Sequence, residues 1–359
     1  AVKLFHRAGV PSSVLQLLLG SGSKIGSLLI EDTRISGIAF TGSTATALGI
    51  NYQLAKRAGG PVPFIAETGG QNCMVVDSTA LPEQVVDDVI TSAFLSAGQR
   101  CSALRVLYIQ DDIADKVLVM LKGAMNSMYA GDPCLLSNDM GPVIDYGAAT
   151  ELYNHIERMN KEATLIAKVE LGPHCNNGSF VAPHVFEIQS INQLHDEVFG
   201  PILHVIRYSA KNLNEVINQI NETGYGLTLG IHSRIEAFAD TVFHSTIAGN
   251  TYINRNTVGA VVGVNPFGGR GLSGTGPKAG GPNYLYRFSH AGTTGDQSSN
   301  NFAFNHNSKS LSPKLSDSVE RAKSAMTKWA YTSTQERVNL VLKVCEAITK
   351  TALEALVKD

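Results

Sequence analysis

This 359-residue sequence lacks the features that mark nucleic-acid-binding, membrane and secreted proteins. The 29 basic and 31 acidic residues nearly cancel, so no excess of positive charge favours nucleic acid or an anionic membrane as a partner. No apolar run approaches the roughly 20 residues that cross a bilayer. The N-terminus has no signal-peptide pattern and reads as a helix already in progress, which predicts that the chain is cut from a longer one.

Cysteine is scarce and irregularly spaced. No CxxC pair is present for zinc or redox work, and an odd number of cysteines does not form a disulfide framework. We therefore predict no metal site and a reduced, cytoplasmic setting. The five cysteines are at positions 73, 101, 134, 175 and 345.

The order of predicted elements indicates an α/β protein built on a parallel sheet. Helical and strand patterns alternate along the chain as far as a glycine-rich loop at 259–281, and such alternation is typical of βαβ units. Strands are predicted at Val14–Leu19, Ile35–Phe40, Pro63–Glu67, Asn72–Val76 and Leu104–Ile109, and near Leu165, Leu203 and Leu229. Helices are predicted at Ala1–Ala8, Gly26–Ile30, Thr41–Gly59, Pro82–Ala97, Ile113–Met128, Tyr146–Asn160, Leu213–Asn221 and Ile235–Thr246.

Two short segments place reactive side chains at the ends of predicted elements. GQRCS (98–102) puts Cys101 just before a strand, and a thiolate is a strong nucleophile towards carbonyl carbon. AETGGQN (66–72) ends a strand with Glu67, whose carboxylate can act as a general base that activates water. Taken singly, each has an ordinary explanation: Cys101 as a buried core cysteine and Glu67 as a solvated charge.

Two further segments suit a nucleotide cofactor. FTGST (40–44) precedes a helix whose first N–H groups can bind phosphate, although an ordinary Ser/Thr helix cap is the commoner meaning. In EVFGP (197–201), Glu197 can hold ribose hydroxyls and Phe199 can pack against a flat ring.

The glycine-rich segment at 265–282 contains a misleading match. Gly269, Gly271 and Gly274 satisfy GxGxxG, but no strand is predicted before them and no helix after them. Because the dinucleotide fingerprint needs both, we interpret the segment as a surface loop.

In this order, the five segments resemble motifs of the aldehyde dehydrogenase superfamily over about residues 1–288. ETGG resembles the family's E-L-G-G, with Thr68 in the place of Leu. The longer segments IAETGGQN, GQRCSALRVL and GAVVGVNPFGGRGLSGTGPKAGGPNYLYRF are similar to the L-glutamate γ-semialdehyde (Δ1-pyrroline-5-carboxylate) dehydrogenase module of the bifunctional proline utilisation A family. The resemblance implies NAD-dependent oxidation of this semialdehyde to L-glutamate in proline catabolism.

The resemblance also assigns roles to residues of this sequence. Cys101 would attack the aldehyde carbon, giving a thiohemiacetal and then a thioester, and Glu67 would activate the water that releases the product. The residues expected to contact NAD are Thr41, Gly42, Ser43, Glu197 and Phe199.

The substrate's α-carboxylate would be anchored by Ser102 and by the backbone N–H groups of Gly259 and Ala260. Phe267 would line the aliphatic middle of the substrate. Buried polar anchors of this kind discriminate strongly, because an analogue without the carboxylate leaves them unpaired. Ordinary packing of small residues is the alternative explanation for Ser102 and Ala260.

By the same resemblance we expect an aldehyde-dehydrogenase-like α/β fold: a partial NAD-binding parallel sheet, an α/β catalytic domain and a helical C-terminal tail. Residues 1–66 would be the C-terminal part of the NAD-binding domain and 67–265 the catalytic domain. A glycine-rich loop and return strand (266–291) and a polar linker (292–316) would follow. The tail at 317–359 would begin a further C-terminal domain, or it is a generic amphipathic helix pair.

Two segments of the family pattern are not found in these 359 residues. One holds an asparagine that completes the oxyanion hole, and the other grips the adenosine ribose. Losing one oxyanion donor costs roughly 10²–10³ in rate, so we expect this polypeptide alone to have little or no dehydrogenase activity.

The expected partners are the small-molecule substrate, the rest of a parent polypeptide and other copies in a homo-oligomer. FAD would belong only to a proline dehydrogenase module, which these residues do not include. Two other functions stay open. The chain could be an aldehyde dehydrogenase for another substrate, or a non-catalytic scaffold that keeps the fold and needs no thiolate of lowered pKa.

Overall fold

The computed structural model describes residues 1–289, 324, 332–339 and 342–343. Contacts divide the chain into two compact units, Ala1–Ala291 and Gly292–Asp359. In the second unit, the described residues 334–339 are helical. The predicted linker at 292–316 and most of the tail at 317–359 lie outside the described residues. The sheets and the candidate site belong to the first unit.

Residues 1–289 form eight α-helices whose ends follow local sequence signals. Pro82 occupies the first turn of its helix, where a missing N–H costs nothing. Asp145 caps the sixth helix by accepting a hydrogen bond of 2.8 Å from the N–H of Ala148. No helix within the described ranges has the length and apolar character needed to span a membrane. The helices are α1 (Val2–Arg7), α2 (Ser27–Glu31), α3 (Thr44–Lys56), α4 (Pro82–Phe94), α5 (Asp111–Asn126), α6 (Tyr146–Glu162), α7 (Leu213–Glu222) and α8 (Glu236–Ser245).

The strands form one seven-stranded sheet and two strand pairs. The strands are β1 (Ile38–Thr41), β2 (Phe64–Glu67), β3 (Cys73–Val76), β4 (Val106–Gln110), β5 (Thr164–Lys168), β6 (His184–Glu187), β7 (Ile202–Tyr208), β8 (Tyr225–Gly226), β9 (Thr228–His232), β10 (Asn250–Ile253) and β11 (Arg270–Gly271). The main sheet has the order β10-β9-β3-β4-β7-β6-β5, with β1–β2 and β8–β11 as separate pairs.

The predicted α/β class with a largely parallel sheet is confirmed. Within the main sheet every pair is parallel except the edge pair β5–β6, which is antiparallel. Strands β6 and β10 were not predicted from the sequence. The glycine-rich loop contains only the two-residue strand β11, so it has neither the strand nor the helix of a dinucleotide fingerprint.

Side chains alternate between two cores on opposite faces of the main sheet. On β3, Cys73 and Val75 join one core while Met74 and Val76 join the other. All four side chains are almost completely buried. Because both faces of the central strands are covered, they read as continuous apolar runs.

The predicted buried strand at Val14–Leu19 is wrong. This segment forms a turn and irregular structure, and its side chains are exposed, with Leu19 at 81% and Leu17 at 60%. A strand needs a neighbour for its N–H and C=O groups, and within the described residues β1 pairs only with β2. A short apolar run without periodicity does not distinguish a strand from other structures.

Strand ends bring the motifs to one place. Parallel strands β1 and β2 finish together at Thr41 and Glu67. The chain then crosses to the start of β3, next to the starts of β4 and β7. The segments containing Cys101 and Glu197 precede β4 and β7, so they lie at that same edge of the main sheet.

We expect Leu107→Ala to lower the free energy of unfolding by about 2–5 kcal/mol, because it leaves a cavity in a packed core. Leu107 is fully buried on the central strand β4. Urea denaturation of the whole chain measures the change. The control Leu136→Ala alters a fully exposed leucine and should leave the transition almost unmoved. Equal effects of the two substitutions would contradict this description of the core.

Candidate active site

A left-handed turn delivers Cys101 to the start of β4. Helix α4 ends at Phe94, earlier than predicted, and Ser96, Ala97 and Gly98 then take positive φ values of 58°, 55° and 64°. A Cβ atom at Gly98 would overlap the carbonyl group of Gly200, so only glycine fits there. The turn therefore packs directly against the loop that carries Glu197.

The buried guanidinium of Arg105 joins these two loops. The side chain is only 1% exposed. It donates to the carbonyl oxygens of Gly98 (2.6 Å) and Arg100 (3.1 Å) in the turn that carries Cys101, which we call the nucleophile turn. It also donates to the carbonyl of Gly200 (3.3 Å) and to Oε1 of Glu197 (3.0 Å). No motif singled out Arg105, although an arginine amid apolar strand residues is a signal that could have found it.

Glu197 and Phe199 both contact Arg105. A Cβ at Gly69 would overlap the Glu197 carboxylate, so this glycine makes room for it. Burial raises the pKa of Glu197, while Arg105 and the N–H of Gly70 act in the opposite direction. The Phe199 ring is 44% exposed and its centroid is 5.1 Å from Cζ of Arg105.

The Cys101 thiol is half-buried, and the backbone N–H groups of Ser102 and Cys101 act to lower its pKa. Burial raises the pKa of the thiol, the Glu197 carboxylate raises it further, and Arg105 opposes both. The thiol therefore keeps its proton at neutral pH in this state. The lowered pKa that would argue against a scaffold is not found here, because burial and the Glu197 charge outweigh the nearby donors.

Glu67 ends β2 in a half-buried position beside the glycine-rich loop. Its Oε2 accepts from the N–H of Gly269 at 3.3 Å. Its Oε1 is buried and has no hydrogen-bond partner among the described residues. Burial raises the pKa of Glu67 to about 7, against the opposing effects of Gly269 and Lys278. A carboxyl that titrates near neutrality is suited to accept a proton.

The FTGST segment meets Glu67 at the ends of β1 and β2. The N–H of Gly42 donates to the Glu67 carbonyl at 3.2 Å. Ser43 caps α3, accepting from the N–H of Thr46 at 3.2 Å, so the ordinary helix-cap interpretation is confirmed. Thr41, Gly42 and Ser43 are all exposed, which leaves the N-terminus of α3 open to a ligand.

Tyr225 connects the cofactor segments, although no motif pointed to it. Burial raises the pKa of its hydroxyl, Thr44 in the first turn of α3 lowers it, and the carboxylates of Asp196 and Glu197 raise it, so Tyr225 lies near both segments. Tyr225 is half-buried on β8.

The predicted substrate residues lie close to the nucleophile turn but differ in exposure. Ser102 is only 7% exposed, and its carbonyl accepts from the Thr257 hydroxyl at 2.9 Å. Arg100 donates to the carbonyl of Val258 at 3.4 Å, which holds the following residues, Gly259 and Ala260, near the same turn. Ala260 is exposed, whereas Ser102 presents little surface to a ligand.

Phe267 is held by the glycine-rich loop itself, through reciprocal backbone hydrogen bonds with Ala279 of 2.9 and 2.8 Å. The next residue, Gly268, packs against the Glu67 carboxylate, where a Cβ would crowd both oxygens. The structure thus groups Cys101 with Glu197, and Glu67 with this loop. No side-chain hydrogen bond joins Glu67 to Cys101 within residues 1–289.

Curated bacterial relatives match most of this chain. The bifunctional protein PutA of Klebsiella aerogenes is 47% identical over 337 residues, which is 92% of this chain and 26% of that protein. The Escherichia coli PutA is 52% identical over 80% of this chain and 22% of its own length. The chain therefore spans about a quarter of these relatives.

A shorter relative, the 1-pyrroline-5-carboxylate dehydrogenase of Geobacillus thermodenitrificans, is 36% identical over 82% of this chain and 57% of that protein. Among solved structures, a bifunctional proline utilization A protein superposes with a TM-score of 0.77 and 54% identity, covering 80% of this chain and 29% of that one. The 1-pyrroline-5-carboxylate dehydrogenase from Thermus with bound NAD superposes with a TM-score of 0.72 and is 34% identical. The match covers 80% of this chain and 55% of that one.

The family model described as "Aldehyde dehydrogenase family" matches residues 1–293, which include every motif of the candidate site. The predicted superfamily and fold are therefore confirmed. The chain belongs to the aldehyde dehydrogenase family.

Proposed function

We propose that this chain carries the catalytic residues for NAD-dependent oxidation of L-glutamate γ-semialdehyde to L-glutamate. The observation that carries the proposal is the setting of Cys101, in a turn that Arg105 ties to Glu197 and whose backbone N–H groups at residues 101 and 102 lower the pKa of the thiol. A nucleophile needs such donors to stabilise the oxyanion that forms beside it. The substrate class comes from the relatives named 1-pyrroline-5-carboxylate dehydrogenase.

As its thiol gives up a proton to solvent, Cys101 would attack the aldehyde carbon, and the N–H groups of residues 101 and 102 would face the oxyanion that forms there. Loss of hydride from the thiohemiacetal leaves a thioester on the sulfur. Glu67 would then take a proton from water as that water attacks the thioester, releasing the carboxylate and the free thiol. The unpartnered Oε1 of Glu67 is available for this water.

The chain's residues fit the nicotinamide cofactor at two places. The exposed N-terminus of α3 beside Thr41, Gly42 and Ser43 offers a site for a phosphate, although the N–H of Gly42 already donates to the Glu67 carbonyl and that of Thr46 to Ser43. Glu197 and the half-exposed Phe199 ring offer a carboxylate for ribose hydroxyls and a face for a planar ring. Bound NAD would supply the hydride acceptor and a positive charge near Glu197.

For the substrate's α-carboxylate, the backbone at Gly259 and Ala260 is the better supported anchor. Neither N–H donates to another atom in the described part of the chain, and Ala260 is exposed. Ser102 would assist through its small exposed portion, and Phe267 would line the aliphatic chain of the substrate.

We further propose that this region acts within a longer polypeptide, as its bifunctional relatives do. Residues 1–66 would be the C-terminal part of the NAD-binding domain, 67–265 the catalytic domain, and 266–291 a glycine-rich loop and return strand. Homo-oligomerisation, and FAD in a separate proline dehydrogenase module, are parts of the same proposal. Among these 359 residues we find no counterpart of the family's upstream oxyanion asparagine, so we propose low activity for this polypeptide alone.

The first experiment measures NADH formation from L-glutamate γ-semialdehyde and NAD⁺, with this chain and with a version extended upstream by about 200 residues. We expect turnover in the extended version, at a rate at least 10² higher, because one missing oxyanion donor alone costs about that much. Cys101→Ala should abolish it, whereas Cys134→Ala, at an exposed cysteine, should not.

If the extended version has the same kcat/KM for simple aldehydes as for L-glutamate γ-semialdehyde, its substrate specificity differs from the one proposed. Full activity of Cys101→Ala would contradict the nucleophile assignment and favour a scaffold.

The deacylation rate of the extended enzyme should rise with pH and level off above about 7, because Glu67 must lose its proton before it can act as a base. Lys278→Met should move this midpoint upwards, since Lys278 is one of the two groups that lower the pKa of Glu67. Single-turnover release of L-glutamate, followed as a function of pH, measures the midpoint in the unmodified enzyme and in Lys278→Met. A profile for Glu67→Gln that keeps the same midpoint would contradict the assignment of the base.

A further inference from the structure

The carbonyl groups of the nucleophile turn are bound by side chains from distant parts of the chain. Four consecutive carbonyl oxygens, from Arg100 to Ala103, accept hydrogen bonds from side chains. The donors are Arg105 for residue 100, Asn72 for residues 101 and 103, and Thr228 and Thr257 for residue 102. The turn is therefore held through its carbonyls, whereas the N–H groups of Cys101 and Ser102 donate to no oxygen among the described residues.

Asn72 makes two of these contacts and is 3% exposed. Its Nδ2 donates to the carbonyls of Cys101 (2.6 Å) and Ala103 (2.9 Å). Its Oδ1 accepts from the N–H of Thr228 at 3.1 Å. The reversed amide would place an oxygen against two carbonyls and an NH₂ against an N–H, so this orientation is the only one that satisfies all three groups.

These contacts determine which way the N–H of Ser102 points. A trans peptide is planar, so the carbonyl of residue 101 and the N–H of residue 102 point in opposite directions. Because Asn72 binds the carbonyl on one side, the N–H is directed to the other side, and from there it lowers the pKa of the Cys101 thiol.

We propose that Asn72 is a positioning residue for the nucleophile, holding the Cys101–Ser102 peptide so that its N–H faces the sulfur and any anion formed there. Asn72 itself does not touch the reacting atoms. This inference rests on the proposed role of Cys101, but thiol reactivity tests it without NAD or aldehyde.

The experiment follows alkylation of Cys101 by iodoacetamide between pH 6 and 10 in the full chain, with the modified peptide quantified by mass spectrometry. The other groups that act on the thiol, Glu197, Arg105 and Tyr252, are present in every variant. Asn72→Leu keeps the volume but removes the donors and frees the peptide to rotate. We expect its alkylation midpoint to rise by about one pH unit, which makes the reaction about tenfold slower at pH 8.

Gln71→Met is the matched control. Gln71 is the adjacent buried amide, 7% exposed, and donates to the carbonyl of Leu194 (3.0 Å), which is not part of the nucleophile turn. This variant should lose thermal stability as Asn72→Leu does, yet keep the wild-type alkylation midpoint. Asn72→Ser, which retains one donor, should show a smaller upward shift.

An unchanged midpoint in folded Asn72→Leu would overturn the proposal, and so would an equal shift in Gln71→Met. If Asn72→Leu does not fold, Asn72→Ser decides: a wild-type midpoint overturns the proposal, and an upward shift supports it. The two proposals can fail separately. If Asn72→Leu raises the alkylation midpoint but the extended enzyme forms no NADH, the proposed reaction is rejected and the positioning role of Asn72 is retained.

Discussion

The burial of one arginine side chain determines the arrangement of the whole site. A guanidinium removed from water is costly unless its N–H groups are bonded and its charge is paired. Arg105 meets most of this requirement through its two terminal nitrogens, which bind three backbone carbonyls and the Glu197 carboxylate 92 positions away in sequence, while its buried Nε has no partner among the described residues. Because moving either loop would leave a buried charge without partners, the loop of Cys101 and the loop of Glu197 keep a fixed spacing.

The two half-buried carboxyl groups at this site, those of Glu67 and Glu197, have different environments. Glu197 has an arginine partner, whereas Glu67 has a single backbone donor and a more distant lysine. When two carboxyl groups in one site have different environments, one can serve to bind a ligand while the other transfers a proton. The glycines enforce the separation sterically, since Gly69 makes room for one carboxylate and Gly268 for the other.

Sequence reasoning succeeded where the signal is local and failed where it depends on distant contacts. The ends of β1 and β2 and the positions of Cys101 and Glu67 follow from short motifs, which carry their own turn chemistry. Arg105, Asn72 and Tyr225 went unnoticed because their partners lie far away in the sequence. The segment at 14–19 was misread because an apolar run shows neither a period nor a pairing partner.

The held carbonyls of the nucleophile turn also bear on how the protein folds. Ser102 meets its two hydroxyl donors across 126 and 155 positions of chain. Contacts of such long range form late, since loop-closure entropy must be overcome first. A nascent or partly folded chain therefore has an ordinary, unoriented thiol at position 101. We therefore expect this turn to take its final orientation only once β9 and the segment of Thr257 are in place.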